Sequence, residues 1–188
     1  MNVIGITGTL GAGKGTIVDY LVKQHHFTHY PVRKYIEAEI AARGLENNRD
    51  NMVIVGNDLR KNDGAFIFKA LKEQAEKEQQ KHIIIESIRT VDEVTALKAL
   101  GGVLFSVDAD RKLRYERIVP RGTSTDNISY ETFIKQEENE SISTDPAKQN
   151  LRACAKLADF HFMNDNSFED LYRQIDTAIK KINAPLGA

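Results

Sequence analysis

Short apolar runs alternate with amphipathic stretches along most of the chain. Runs at residues 3–7, 82–85, 103–107 and 160–163 are rich in Val, Ile and Phe, and a weaker one lies at residues 27–30. Their length and continuity suit strands buried on both faces. Between them the period changes to that of a helix. Phe168, Leu171, Ile175, Ile179 and Ile182 recur at spacings of three and four, and Ser167 stands before them as an N-cap. Thr90-Val91-Asp92-Glu93 reads as a capping box, and Asp145-Pro146 as a cap followed by proline in a first turn. Strand and helix patterns in alternation predict an α/β fold: a mostly parallel sheet with helices on both faces. Two stretches interrupt it. Residues 31–62 are polar and helix-like, and residues 121–146 begin with Gly122-Thr123-Ser124-Thr125-Asp126-Asn127 before a short acidic helix. Both read as mobile insertions over the strand ends, within one domain spanning residues 1–188.

Composition narrows the classes. With 188 residues, 41% hydrophobic and 28% charged, the chain suits a single well-covered α/β domain. A formal net charge of −1 gives no basic surplus for a nucleic-acid polymer or an anionic membrane. No apolar run is long enough to span a bilayer, and the N-terminus shows no secretory pattern. The sole cysteine, Cys154, sits in an apolar stretch and reads as a small buried hydrophobe. These features together predict a cytoplasmic protein. His25, His26 and His29 cluster at a helix-to-strand junction without a carboxylate or cysteine at ligand spacing, so a surface turn is favoured over zinc.

The most informative segment is Gly8-Thr9-Leu10-Gly11-Ala12-Gly13-Lys14-Gly15-Thr16, between the first strand and a helix carrying Ile17, Val18 and Leu21. Glycines here admit backbone angles closed to other residues and let successive N–H groups point at phosphate oxygens. The helix N-terminus adds its dipole, and Lys14 brings a charge to the β- and γ-phosphates of ATP. Gly11, Ala12, Gly13, Lys14, Gly15 and Thr16 are therefore the expected nucleotide-binding residues. The usual Ser or Thr after the lysine is replaced by Gly15, with Thr16 next. The Thr16 hydroxyl is expected at a phosphate or at magnesium, with the metal held mainly by phosphates and water.

The strand at residues 82–85 ends in Glu86-Ser87-Ile88-Arg89-Thr90. Ligands of open α/β sheets bind at the carboxyl ends of strands. Glu86 is therefore expected beside magnesium, through water, and Arg89 on an acceptor phosphate. Further on, Arg117 and Arg121 are four apart, a spacing that lets two guanidinium groups stack on a base and clamp transferring phosphates. Arg111 and Arg114 read as solvated partners of nearby acids.

In these pieces the chain resembles the adenylate-kinase-like nucleoside monophosphate kinases: the glycine loop with Lys14, then Glu86-x-x-Arg89-Thr90, then Glu116-Arg117-Ile118-Val119-x-Arg121. The resemblance implies a three-layer P-loop NTPase fold with a five-stranded parallel sheet, an acceptor-binding insertion at about 31–62 and a short lid at about 121–146. It implies Arg117 packed against the donor base and Arg121 on phosphates. The insertion departs from the adenylate kinase motif. It reads Pro31-Val32-Arg33-Lys34-Tyr35-Ile36-Glu37, with Arg33 earlier and Glu37 where an arginine is expected. The strand-end motif is one residue shorter and similar to that of dephospho-coenzyme A kinase-like proteins, although their acidic motif after the second strand is absent. The lid helix bears Lys135 but no arginine.

The expected activity is thus ATP- and magnesium-dependent phosphoryl transfer to a small phosphorylated acceptor, a nucleoside or deoxynucleoside monophosphate. Lys14, Arg89, Arg117 and Arg121 act in transfer, and Arg33, Arg60, Arg89 and Glu86 face the acceptor, with Arg49 a further candidate. The alternatives are a dephospho-coenzyme A or other metabolite kinase, and a nucleotide-binding switch or ATPase.

Overall fold

The computed structural model describes residues 1–121, 128–141 and 148–184, the side chains of 121 and 139–141 excepted. The segment 122–127 expected as a hinge, the cap at Asp145-Pro146 and the Arg121 side chain lie outside that description. Strands β1 (Asn2–Gly8), β2 (Thr28–Pro31), β3 (His82–Glu86), β4 (Val103–Asp108) and β5 (Phe160–Met163) form one sheet in the order β2-β3-β1-β4-β5. Every neighbouring pair is parallel. All five apolar runs of the sequence became strands.

The helices in chain order are α1 (Lys14–His25), α2 (Val32–Ala42), α3 (Arg49–Arg60), α4 (Phe66–Lys77), α5 (Val91–Ala99), α6 (Arg111–Ile118), α7 (Tyr130–Ser141), α8 (Leu151–Lys156) and α9 (Phe168–Asn183). Side chains alternate across the strands, so the sheet has two apolar faces to cover. Ile4, Ile6, Ile84 and Phe105 pack under Ile17 and Leu21 of α1 and Leu171 and Ile175 of α9. On the other face Val3, Ile83, Ile85 and Leu104 pack with Phe68 and Leu71 of α4, Val94 and Leu97 of α5, and Cys154 of α8. The result is a three-layer α/β fold of the P-loop kinase type.

Residues 31–62 are more than a cover over the strand ends. Ile36 and Ile40 of α2 and Val55 of α3 are buried in the same cluster as the sheet residues. Two of the expected caps are in place: Thr90 Oγ1 accepts from Glu93 N at 3.1 Å, and Ser167 caps α9. Burial pushes the Cys154 thiol up to about 12, which makes it an inert core residue. No group of His, Cys, Asp and Glu able to hold a metal occurs among the described residues, and no described helix is long and apolar enough to cross a membrane.

The sheet order fixes where a ligand can sit. β1 is central, and the chain leaves it toward β3 and β2 on one side and β4 and β5 on the other. The register pairs Ile6 with Glu86 and Gly8 with Val107. The glycine loop therefore emerges between the carboxyl ends of β3 and β4, at the switch point of the sheet.

Candidate active site

The loop from β1 to α1 is built on left-handed glycines. Gly11 has φ 79° and Gly13 φ 105°. A Cβ at Gly11 would lie 2.5 Å from the Arg114 carbonyl oxygen, and one at Gly13 would lie 2.2 Å from Asn164 Nδ2. Gly13 is the N-cap of α1 and makes no side-chain cap, so the first N–H groups of that helix are left to an anion. Lys14 Nζ arches back over the loop and donates to Gly8 O at 2.8 Å and Thr9 O at 2.9 Å. The arrangement fits a nucleotide triphosphate. Gly11→Ala is expected to destroy nucleotide binding, measured by titration with MgADP, because both its dihedral and its contact with Arg114 forbid a side chain. Gly15 is different. It is exposed and nothing lies within 4 Å of an added Cβ, so Gly15→Ser should leave the loop intact.

Three residues brace the outer side of this loop, and sequence reading missed their roles. Thr9 Oγ1 donates to Asp108 Oδ1 at 2.8 Å. Asn164 Nδ2 donates to Ala12 O at 2.9 Å, while its own N–H donates to Asp108 O at 2.8 Å. Arg114 donates through Nη1 to Leu10 O, through Nε to Ala109 O and through Nη2 to Glu137 Oε1, at 3.4, 2.9 and 2.6 Å. Arg114 was expected as a solvated residue. It does meet acids, but it is buried, because its turn of α6 faces the loop and α7 covers it. Arg111 remains half exposed and pairs with Glu137.

The expected acceptor residues come together around a cavity of about 370 Å³. Lys14, Gly11, Gly13 and Gly15 line one end of it, and Arg33, Arg49, Arg60, Glu86 and Arg89 line the rest, over an apolar bed of Val32, Ile36, Met52 and Val53. The arginines differ in what they touch. Arg33 Nε donates to Glu37 Oε1 at 2.7 Å on the exposed side of α2, and Arg89 Nη1 donates to Gln149 Oε1 at 2.8 Å. Arg60 is 1% exposed, and its fork donates to Glu93 Oε1 through Nε and Nη2 at 3.0 and 2.8 Å. Its Nη1 donates to Gly56 O at 3.1 Å within α3, and its pairing with Glu93 clamps α3 onto α5 at the border of the cavity.

Glu86 Oε1 accepts from Ser87 Oγ at 2.7 Å, and its Oε2 lies 4.0 Å from His29 Nε2. That nitrogen is buried without a hydrogen-bond partner, and burial lowers the His29 pKa below the ordinary imidazole value. Arg117 stands apart from the cavity: its Nη2 donates to Asn164 O at 2.8 Å, beside the loop that follows β5. For a magnesium ion the fitting groups are Thr16 Oγ1, in the first turn of α1, and the carboxylate of Glu86. With no cluster of three protein ligands among the described residues, the ion would rest chiefly on phosphate oxygens and water, as magnesium commonly does. Across Thr9 lies a second hollow of about 400 Å³, lined by Gly8, Asp108, Arg111, Glu137 and Arg152.

Comparison with known proteins agrees with this fold. A family model described as an AAA domain, AAA_18, matches residues 4–144. A UPF0200 protein of Methanocaldococcus jannaschii is 30% identical over 186 residues, covering 97% of this chain and 91% of its own. Among solved structures, a shikimate kinase from Aquifex aeolicus superposes with a TM-score of 0.55 at 16% identity, over 96% of this chain and 97% of that one. A dephospho-CoA kinase from Campylobacter jejuni does so with a TM-score of 0.54 at 18% identity, over 96% of each. At such identities the likeness is one of fold.

Proposed function

We propose, for a chain that belongs to the AAA-domain family AAA_18 and to the UPF0200 proteins, that it transfers the γ-phosphoryl group of ATP to a nucleoside or deoxynucleoside monophosphate. One observation carries the reading: the lysine and glycines of the phosphate loop share a cavity with Arg33, Arg49 and Arg89. A switch or a simple ATPase needs no second anion-binding wall opposite its loop.

Transfer of this kind asks the protein chiefly to align two anions and neutralise the charge between them. Lys14 swings from the Gly8 and Thr9 carbonyls to the β- and γ-oxygens of the donor. Arg89, with Arg33, holds the acceptor phosphate, whose oxygen attacks the γ-phosphorus as ADP leaves. Arg117 lies on the donor-base side with Asn164, and Arg121 is assigned to the transferring phosphate. Thr16 and, through water, Glu86 would hold the magnesium ion. When bound, that ion neutralises charge on the β- and γ-phosphate oxygens. Gly11, Ala12, Gly13 and Gly15 offer backbone donors. A buried single cysteine suits a reducing, cytoplasmic setting.

A second reading has one observation of its own. A hydroxyl acceptor must lose a proton that a monophosphate need not, and the Glu86–His29 pair on the cavity wall could take it. Dephospho-coenzyme A is the first such acceptor to try. The test is ADP release from MgATP against a panel of nucleoside and deoxynucleoside monophosphates, dephospho-coenzyme A and shikimate. Strong stimulation by one monophosphate is expected. A response to a hydroxyl acceptor alone selects the second reading, and slow hydrolysis indifferent to all of them would sink both.

A further inference from the structure

Helix α7 joins the phosphate loop through a buried ion cluster that the transfer mechanism does not use. Arg114 is 4% exposed, and its guanidinium lies against three different elements. It reaches Leu10 O in the loop, Ala109 O after β4, and Glu137 Oε1 in α7. Asp108 Oδ1, which also holds the Thr9 hydroxyl, is 3.3 Å from Arg114 Nε. Phe133 of α7 lies under the guanidinium, 5.6 Å from its ring centre. Arg111 Nε meets the other oxygen of Glu137 at 2.9 Å, and the Glu137 side chain is 8% exposed. The Arg114 carbonyl oxygen lies 2.5 Å from where a Cβ of Gly11 would be.

We propose that Glu137 is a positioning residue for the phosphate loop, acting through Arg114, so that nucleotide binding and the seating of α7 on α6 are coupled. The inference rests on the donor reading of the loop and goes beyond it. A cation buried this deeply is stable only while its carboxylate is present. Without Glu137, Nη2 of Arg114 is left buried without its acceptor, since Asp108 reaches only Nε, and the guanidinium must shift to satisfy it. Leu10 O then loses its donor and the backbone at Arg114 no longer backs Gly11. A loop that was held ready must be ordered by the ligand instead, at a cost in affinity. By linkage, a nucleotide that favours the braced loop must favour the seated helix by the same factor.

The sign of the effect separates this from simple electrostatics. Glu137 is an anion near a phosphate site, so removing it by charge alone would tighten binding. Positioning demands the reverse.

The experiment uses the full chain and MgADP, at a temperature far below each variant's melting point. Wild type, Glu137→Ala, Glu137→Asp and Glu137→Ala/Arg114→Met are titrated, and amide exchange across α7 is followed with and without MgADP. Glu137→Ala is expected to bind about tenfold more weakly, within the usual range of coupling between linked sites. Glu137→Asp should recover part of the loss. MgADP should slow exchange in α7 of wild type and leave that of Glu137→Ala unchanged. The double variant, which has no buried cation to strand, should bind no worse than Glu137→Ala. Equal or tighter binding by Glu137→Ala, with α7 still protected by MgADP, overturns the inference and leaves the donor reading standing. Failure of wild type to bind either MgADP or MgATP overturns the donor reading, and the inference with it.

Discussion

Lys14→Ala is expected to lower phosphoryl transfer by at least about a hundredfold, the scale seen when one preorganised electrostatic donor is removed from a transition state. The ammonium is already in place, held by the Gly8 and Thr9 carbonyls at 2.8 and 2.9 Å within the curl of the loop. Those carbonyls are weak partners compared with a triphosphate, so the lysine is available to move when one arrives. Two measurements keep the result from being confused with a broken loop. The first is kcat with the best acceptor of the panel. The second is the rise in melting temperature on adding MgADP. A ligand at a hundred times its Kd stabilises the native state by about 2.7 kcal/mol, and the variant should lose most of that shift. Its own melting point without nucleotide should fall only modestly, since the hydrogen bonds to the Gly8 and Thr9 carbonyls come from a partly solvated cation. Near-normal transfer by Lys14→Ala would remove the lysine from the mechanism. Lys14→Arg is not a rescue: the planar fork is too broad for a site shaped around a single ammonium.

Much of the fold was legible because its signals are local. Most strands are short continuous apolar runs, α9 is a stripe at helical spacing, and Thr90-x-x-Glu93 is a cap whose two halves are three residues apart. The phosphate loop is legible for the same reason: its glycines and lysine act through adjacent peptide groups. What was not legible depends on contacts between distant segments. Arg111 and Arg114 look alike along the sequence. Only the packing of α6 against the loop and α7 sends Arg114 into the interior, leaves Arg111 outside and turns Arg117 to Asn164. Asp108 and Asn164 acquire their roles from the register of β4 with β1 and of β5 with β4, which no spacing encodes. Arg60 is the most instructive. Its place in the acceptor insertion reads as that of a phosphate ligand. It does border the cavity, yet its charge is taken up by Glu93, 33 residues away.

That same pair carries the largest stability effect to be expected outside the loop. Glu93 is fully buried and accepts four N–H donors, two on each oxygen. Oε1 takes Arg60 Nε and Nη2, and Oε2 takes the backbone N–H groups of Arg89 and Thr90 at 2.8 and 3.2 Å. One carboxylate therefore closes the capping box of α5, sets the backbone of Arg89 and anchors α3. Glu93→Gln keeps the shape but not the chemistry. An amide has one accepting oxygen, so its NH2 group must face either the Arg60 fork or the two backbone donors. A buried guanidinium left without its partner costs about 3–5 kcal/mol, a large share of the total stability of a domain this size. Urea unfolding should show that loss as a lower midpoint at an unchanged slope. Arg60→Met alone strands the carboxylate and should cost a similar amount. Combined with Glu93→Gln it removes the cation as well, leaving the amide oxygen free to serve Arg89 and Thr90. The double variant should therefore fall well short of the sum of the two single losses, as directly paired residues do. Full additivity, or a Glu93→Gln midpoint equal to wild type, would mean that the insertion is held by its apolar contacts through Ile36, Ile40 and Val55, with the ion pair contributing nothing.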